Sequence, residues 1–148
     1  MIDNKGTIEV TPGVDYVNDW RDNTGKYVLD DIIRVGKVII NKVVTGCGFT
    51  TYSLCNKMNT ILISPRLKLI LNKMEQFNKY EPLCFYFNRE KGYDGSQKTI
   101  DELKTEFTLY QHECKQNKRP LKVLVTYDSF CALASMLEGF KINISTFL

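Results

Sequence analysis

A glycine-rich turn carries the most suggestive spacing of chemically useful residues in this chain. It lies in the run Lys42-Val43-Val44-Thr45-Gly46-Cys47-Gly48-Phe49-Thr50-Thr51, after an apolar, strand-like segment (38–44) and before a segment that could form a helix (51–58). A strand, a glycine-rich turn and a helix are the parts of a phosphate-binding loop, in which backbone N–H groups and a helix N-terminus surround an anion. The pattern predicts a nucleotide-phosphate site, with a plain strand-to-helix turn as an equal alternative.

The lysine of such loops is absent from this one, because Phe49 stands at its position. Gly46 and Gly48 permit the positive φ angles that a tight phosphate cradle needs, and Thr50 or Thr51 can supply a hydroxyl at the start of the helix. Phosphoryl transfer, however, depends almost wholly on positioned charge. The turn is therefore expected to lack the fixed cation that catalysis requires.

Two further turns place polar groups at the ends of predicted strands. Ser64-Pro65-Arg66 follows the strand 60–64 and leads into a helix that carries Lys73, and Thr126-Tyr127-Asp128-Ser129 follows the strand 121–126. Carboxyl ends of parallel strands meet at one edge of a sheet, so we expect these turns on the same rim as the glycine turn. Together they can contact a phosphodiester backbone. For Ser64, Asp128 and Ser129 taken singly, helix capping is the commoner role.

The alternation of strands and helices from residue 38 onward predicts an α/β fold. Strands are expected at 38–44, 60–64, 83–87, 121–126 and 140–148, and helices at 67–77, from Ser96 or Thr99 to about 118, and from 130 to 137 with Gly139 as its end. Strands that are apolar throughout and alternate with helices are typical of a parallel sheet covered on both faces. The prediction is a three-layer domain with a mainly parallel sheet over residues 37–148.

Residues 1–36 are predicted to form an irregular N-terminal arm with short strand-like pieces. Tyr16, Val17 and Trp20 are the large apolar groups in its middle. Their expected role is to pin the arm to the domain, and the alternative is that one of them stacks on a base.

Composition sets the remaining limits. The 148 residues suffice for one domain with its own core, and a net charge of +3 permits nucleic-acid contact without arguing for it. Five cysteines without a C-x-x-C pair, Cys84 and Cys131 among them in apolar runs, suggest buried thiols in a reducing compartment. No metal site is expected, since His112 is the only histidine. The N-terminal residues lack an apolar signal core, so a cytoplasmic protein without membrane contact is predicted.

The order of the motifs resembles superfamily-two helicases. Asn41-Lys42-x-x-Thr45-Gly46-x-Gly48-x-Thr50-Thr51 resembles their first motif, in the degenerate form found in helicase-like proteins of Bacteroides-type phages and mobile elements. Asn18-Asp19-Trp20 is similar to a short element that precedes this motif in those proteins. Residues 61–73 and 125–130 are similar to the second and third motifs, which face the nucleic-acid backbone.

The resemblance implies a RecA-like (P-loop type) fold and two sets of contact residues. The candidate cofactor-binding residues, for the phosphates of ATP, are Thr45, Gly46, Gly48, Thr50 and Thr51, with Phe49 in place of the lysine. The candidate nucleic-acid residues are Ser64, Pro65, Arg66, Lys73, Thr126 and Tyr127. Residues 140–148 are similar to the beginning of the strand that carries the magnesium-holding acids of the family, and the sequence ends before those acids. The resemblance therefore implies a partial domain of a larger polypeptide.

Two classes of function follow. One is a nucleotide- and nucleic-acid-binding module, with DNA favoured over RNA, that belongs to a phage or mobile-element DNA-processing protein in the bacterial cytoplasm and has little or no ATPase activity. No catalytic residue is nominated. The other is a structural or interaction protein, for example a virion-associated or regulatory component with other phage proteins as partners, that keeps the fold without a working site.

Overall fold

A computed structural model describes residues 8–34, 46–78, 84–142 and 146–147 of the chain. These fall into two compact units, residues 1–56 and residues 57–148. The strand predicted at 38–44 and the boundary predicted after residue 36 both lie outside the described residues, so they stay predictions.

The described elements of unit 1 are short helices, with one isolated antiparallel bridge between Arg21 and Tyr27. A single 3-10 turn, Val17–Asp19, precedes helix α1 (Val28–Arg34), and helix α2 (Phe49–Cys55) follows the glycine turn. The irregular arm expected from the sequence did not include α1. Its short run of β-branched and acidic residues gives a weak helical signal, although Asp30 and Asp31 in its first turn and Arg34 in its last turn do complement the helix dipole.

The core of unit 1 is built around Tyr52, whose side chain is completely buried. Its ring meets that of Tyr27 edge-to-face at a centroid distance of 5.0 Å, and its hydroxyl donates to Asp30 Oδ1 at 2.8 Å. Trp20 is buried as well and donates from Nε1 to Thr11 Oγ1 at 3.0 Å. Trp20 therefore holds residues of its own segment together, whereas Tyr16 is about half exposed, and the predicted attachment of the arm to the domain stays a prediction.

Unit 2 is a mixed α/β structure. Its strands are β1 (Thr60–Ser64), β2 (Phe85–Tyr86), β3 (Lys122–Thr126) and β4 (Thr146–Phe147), and its helices are α3 (Leu67–Phe77), α4 (Ile100–Gln116) and α5 (Phe130–Phe140). Strand β1 and helix α3 coincide with the predicted segments. Helix α4 begins with a capping box in which the Thr99 side chain accepts from the Glu102 N–H and the Glu102 carboxylate accepts from the Thr99 N–H.

The four strands form one sheet in the order β2-β3-β1-β4, with every pairing parallel. Across the sheet, the connection from β1 to β2 runs in one direction and the connection from β2 to β3 runs in the opposite direction. Right-handed crossovers therefore place α3 on one face and α4 on the other. Helix α5 follows β3 toward β4 and therefore shares the α4 face. The predicted parallel sheet is confirmed, and the arrangement is compatible with a three-layer α/β fold.

The main core agrees with these faces. Val123 and Val125 of β3 pack in one cluster with Leu103 and Phe107 of α4 and Leu133 of α5. Because successive strand residues point to opposite faces, the buried Leu62 and Leu124 point to the α3 side.

The amino ends of β1 and β3 are joined by polar contacts. Lys122 is almost fully buried, and its ammonium donates to Met58 O at 2.6 Å and to Thr60 Oγ1 at 3.1 Å. Asn59 Oδ1 accepts from the Leu121 N–H at 2.8 Å. These contacts fix the register of the two central strands at this edge.

Three sequence expectations in unit 2 were wrong. Helix α5 continues through Gly139 to Phe140 and ends with Lys141 in the left-handed conformation (φ 52°), so residues 140–142 are not strand, and β4 is the described part of the strand expected at 140–148. Ser129 stands at the start of α5 without a side-chain capping bond, because a 3-10 turn (Tyr127–Ser129) feeds directly into the helix. Cys131 is exposed, whereas Cys84 is buried as expected.

Candidate nucleic-acid interface and glycine turn

The carboxyl ends of β1 and β3 form a polar edge of unit 2. Ser64 and Thr126, the last residues of the two strands, are direct partners in the parallel register. The helices that follow these two strands lie on opposite faces of the sheet, which makes this pair the topological switch point, where open α/β sheets bind ligands. The sequence prediction that the turns at 64–66 and 126–129 lie together is therefore confirmed within unit 2. We call this edge, residues 64–66 and 126–128, the rim.

Two of the predicted contact residues are buried and hold the rim in shape. Ser64 Oγ accepts from the Arg66 N–H at 3.2 Å, which sets the turn into α3, and it lies 3.3 Å from Arg66 O, to which it can donate. Thr126 Oγ1 donates to Glu90 Oε1 at 3.1 Å and so anchors the loop that follows β2. Both side chains are more than nine-tenths buried. Their hydroxyls therefore hold the turn into α3 and the loop after β2 in place and are covered from solvent.

The other predicted contact residues project from the rim. Pro65 and Arg66 are exposed, and Tyr127 keeps 60% of its surface in solvent. Arg66 has no ion-pair or hydrogen-bond partner for its guanidinium among the described residues. The N–H groups of Leu67 and Lys68 begin α3 and lack intrahelical acceptors. The Arg66 guanidinium, the exposed Tyr127 ring and the first backbone N–H groups of α3 thus all lie at the switch point.

Lys73 extends this surface along α3. It lies seven residues beyond Arg66, about 10 Å along the axis and on nearly the same side of the helix. Its ammonium donates to Gln76 Oε1 at 3.0 Å and stands 5.8 Å from the centre of the Phe77 ring. Basic side chains outnumber acidic ones over residues 64–78 and 84–99. The basic ones are Arg66, Lys68, Lys73, Arg89, Lys91 and Lys98, and the acidic ones are Glu75, Glu90 and Asp94.

The glycine turn belongs to unit 1. Gly46 and Gly48 have positive φ angles of 76° and 81°, as predicted. Helix α2 begins directly afterwards at Phe49, two residues earlier than expected, with its first internal bond from the Tyr52 N–H to Gly48 O at 2.9 Å. Thr45 lies outside the described residues.

The turn is packed against the segment that contains the 3-10 turn. The Val17 N–H donates to Cys47 O at 2.8 Å. A Cβ built on Gly48 would overlap Asn18 Oδ1 and come within 3.1 Å of Tyr16 Cβ. Gly46, by contrast, would meet nothing within 4 Å. Gly48 is therefore required for close packing as well as for its backbone conformation, a need that the sequence pattern alone did not reveal.

Phe49 is a core residue of unit 1. Its side chain is 8% exposed and meets the Tyr52 ring at a centroid distance of 5.7 Å. Thr50 and Thr51 are half-buried in the first turn of α2. Burial, followed by the hydrogen bond to Asp30, raises the pKa of Tyr52 well above its usual range. Phe49, at the position of the missing lysine, thus faces inward and packs against the Tyr52 ring, whose hydroxyl makes the hydrogen bond to Asp30.

Comparison with protein-family models, with curated proteins and with solved structures finds no match to this chain. The described residues contain no group of three or more metal-ligating side chains that could hold an ion. Among the same residues, no helix is both long enough and apolar enough to cross a bilayer. The motifs and the geometry of the two sites are therefore the basis for a functional proposal.

Proposed function

We propose that this chain is a helicase-derived domain that binds single-stranded DNA along the rim and does not hydrolyse a nucleotide by itself. One observation carries the proposal: β1 and β3 end side by side at the switch point, with Arg66 and Tyr127 exposed next to their last residues. A nucleic-acid backbone supplies the anionic groups, and its bases supply flat faces, that such an edge can contact.

Each exposed group has a defined role in this proposal. Arg66 pairs with a phosphate, and the N–H groups of Leu67 and Lys68 donate to the same or the next phosphate. The Tyr127 ring stacks on a base, which works for any sequence because every base has a π-face. Lys73 meets the backbone farther along α3.

The glycine turn supports only a limited role for a nucleotide. Its backbone conformation suits a phosphate, and the first N–H groups of α2 are directed away from the helix, as at any helix start. Phe49 nevertheless provides no charge at the position where a lysine stabilises the transferred phosphoryl group. We therefore expect that any ATP bound by this chain is not turned over.

The test is fluorescence anisotropy with a labelled twelve-residue oligothymidylate over a series of salt concentrations. Arg66→Ala should weaken binding about three- to tenfold at low salt and reduce the slope of log K against log salt by roughly 0.7, because one phosphate contact is lost. Tyr127→Ala should weaken binding roughly fivefold or more through loss of stacking. The equivalent oligouridylate measures the preference for DNA over RNA.

Two matched variants control for charge and for shape. Lys115→Ala removes one exposed positive charge in the last turn of α4, away from the rim, and should leave the affinity within about twofold. Tyr127→Phe keeps the ring and should bind as the wild type does. If Lys115→Ala and Arg66→Ala weaken binding equally, or if the wild type fails to bind at low salt, the rim is not the site.

The interaction-protein alternative is favoured by a separate observation. Leu69 and Leu71 of α3 are 43% and 49% exposed, and Leu109 of α4 is 68% exposed. Exposed leucines on two helices are suited to contact with another protein. Absence of DNA binding, together with self-association in sedimentation that Leu69→Lys abolishes, would favour this alternative.

A further inference from the structure

A groove lies between the start of α3 and the loop that follows β2. It encloses a cavity of about 290 Å³. One wall is apolar, from Leu67 and Leu71, and the ring of Tyr86 borders it. The opposite wall is polar and includes Asn88, Glu90 and Gln97 together with the lysines Lys91 and Lys98. We call this cavity the α3-loop groove.

The groove continues directly from the rim. Leu67 follows Arg66 in the chain and is the first residue of α3. On the other side, Glu90 lines the groove and accepts the hydrogen bond from Thr126 at 3.1 Å. The groove and the rim are therefore adjacent on both sides, through the Arg66–Leu67 step of the chain and the Thr126–Glu90 hydrogen bond, and a ligand that lies along the rim passes the groove.

The polar wall offers both donors and acceptors. Asn88 Oδ1 is occupied by the Glu90 N–H at 3.1 Å, which leaves the amide nitrogen of Asn88 as a donor. Gln97 donates from Nε2 to Arg89 O, which leaves its amide oxygen as an acceptor. One carboxylate oxygen of Glu90 is engaged by Thr126, and the second is available. Lys91 and Lys98 also line the groove, and Lys98 is paired with Glu106. A ligand that carries both donors and acceptors on its edge suits this wall.

Tyr86 borders the groove, and its hydroxyl lacks a hydrogen-bond partner in the part of the chain that the structure describes. This hydroxyl is buried. Burial, with a smaller effect from the charge of Glu90, raises the pKa of Tyr86 to about 12, so the hydroxyl remains a donor at neutral pH. A buried donor without an acceptor costs free energy that a bound acceptor would restore. Because the hydroxyl is covered, a lining side chain such as the half-exposed Leu71 has to rotate before a ligand reaches it.

We propose that the α3-loop groove receives one nucleobase, splayed out from the single strand that lies along the rim. The base is flanked by Leu67 and Leu71, and its polar edge meets the Asn88 and Gln97 amides and the Tyr86 hydroxyl. The volume is large enough for one base. This inference rests on the proposed function, since binding along the rim brings the strand to the groove. It adds a base-recognition site to a rim that otherwise contacts the nucleic-acid backbone and stacks one tyrosine ring on a base.

The first experiment separates base insertion from backbone binding. Anisotropy compares twelve-residue strands of thymidylate, deoxycytidylate and deoxyadenylate with an abasic strand of the same length and phosphate charge. Tyr127→Ala serves as the background so that stacking on the rim does not contribute. In that background the preferred base strand should bind about tenfold more tightly than the abasic strand, since the contact energy of one base is of that order.

Three variants locate the effect. Leu71→Trp fills the groove and should remove the difference between base-containing and abasic strands, and Leu109→Trp places the same ring on an exposed position of α4 and should not. Tyr86→Phe should raise the midpoint of urea unfolding, because an unsatisfied hydroxyl is removed, and should at the same time reduce discrimination among the bases at least about threefold. A residue with a structural role alone would produce only the first effect.

Titration with the four free deoxynucleosides, followed by NMR line broadening, distinguishes failure of the groove from failure of the rim. DNA binding with equal affinity for abasic strands would overturn the groove proposal and leave the proposed function standing. Nucleoside binding that Leu71→Trp abolishes, without binding of any strand, would overturn the rim and support the groove as a nucleoside site. Absence of both would overturn both proposals.

Discussion

The glycine turn of unit 1 and the rim of unit 2 begin from similar sequence signals and reach opposite outcomes. Gly48 is packed against Asn18, and Phe49 points into the core. At the rim the buried residues are small and polar, and Arg66 and Tyr127 remain in solvent. The difference lies in which side chains are buried: the glycine turn buries the ring at its key position, whereas the rim buries small polar residues and leaves its cation and its ring in solvent.

The largest effect is expected from the glycines, and it tests the packed side of this comparison. Gly48→Ala should lower the free energy of unfolding by about 2–3 kcal/mol, since a left-handed L-residue costs about 1–2 kcal/mol and the overlap with Asn18 adds to it. Gly46→Ala, with open space around it, should lose only about 1–2 kcal/mol. Urea denaturation followed by tryptophan fluorescence measures both, because Trp20 lies in unit 1.

The double variant Asn18→Ala/Gly48→Ala sharpens the result. It should recover most of the difference between the two glycine variants, because the overlapping side chain is gone. Equal losses for Gly46→Ala and Gly48→Ala would mean that Asn18 yields easily. The turn would then be open enough for a phosphate, and the contrast with the rim would disappear.

An intermediate effect is expected from Tyr52→Phe. The change leaves the buried Asp30 without its donor and should cost about 1–3 kcal/mol at pH 7. Burial raises the pKa of Tyr52 in the folded state, so its stabilising contribution is complete below the unfolded pKa of about 10 and is lost as the pH rises toward the folded value. The stability gap between wild type and variant should therefore narrow above about pH 10.

Urea denaturation at pH 7 and near pH 11 measures this gap, with Tyr93→Phe as the control because Tyr93 is fully exposed. A gap that stays constant with pH would show that Tyr52 ionises as easily in the folded chain as in the unfolded one. The ring would then not be the centre of a closed core.

How far the sequence predicted the structure depends on the range of the contacts involved. Strand β1 and helices α3 and α4 follow from local apolar runs and from the Thr99–Glu102 capping box, which a short window contains. The contacts Asn18–Gly48 and Thr126–Glu90 join residues far apart in the chain, and nothing in the local pattern of either partner announces them. The sequence thus predicted the positions of the turns, but it could not predict which of their side chains are buried in contacts with residues far away in the chain.

The smallest effect concerns the open side of the comparison. Glu90→Gln keeps an oxygen that can accept from Thr126 but removes a negative charge beside the rim. Binding of the oligothymidylate should become about two- to threefold tighter, in line with the modest strength of exposed charge interactions, with little change in stability. Weaker binding in anisotropy would indicate that the negative charge of Glu90 is needed to hold the loop after β2. The shape of the rim would then depend on that loop, contrary to our proposal.

The buried Lys122 at the opposite edge of the sheet has a consequence for the evolution of this protein. By tying Met58 and Thr60 to β3, it secures the central strands at their beginnings. Mutations can then accumulate where those strands finish without shifting the register of the sheet, so the surface of the rim can change while the scaffold stays the same.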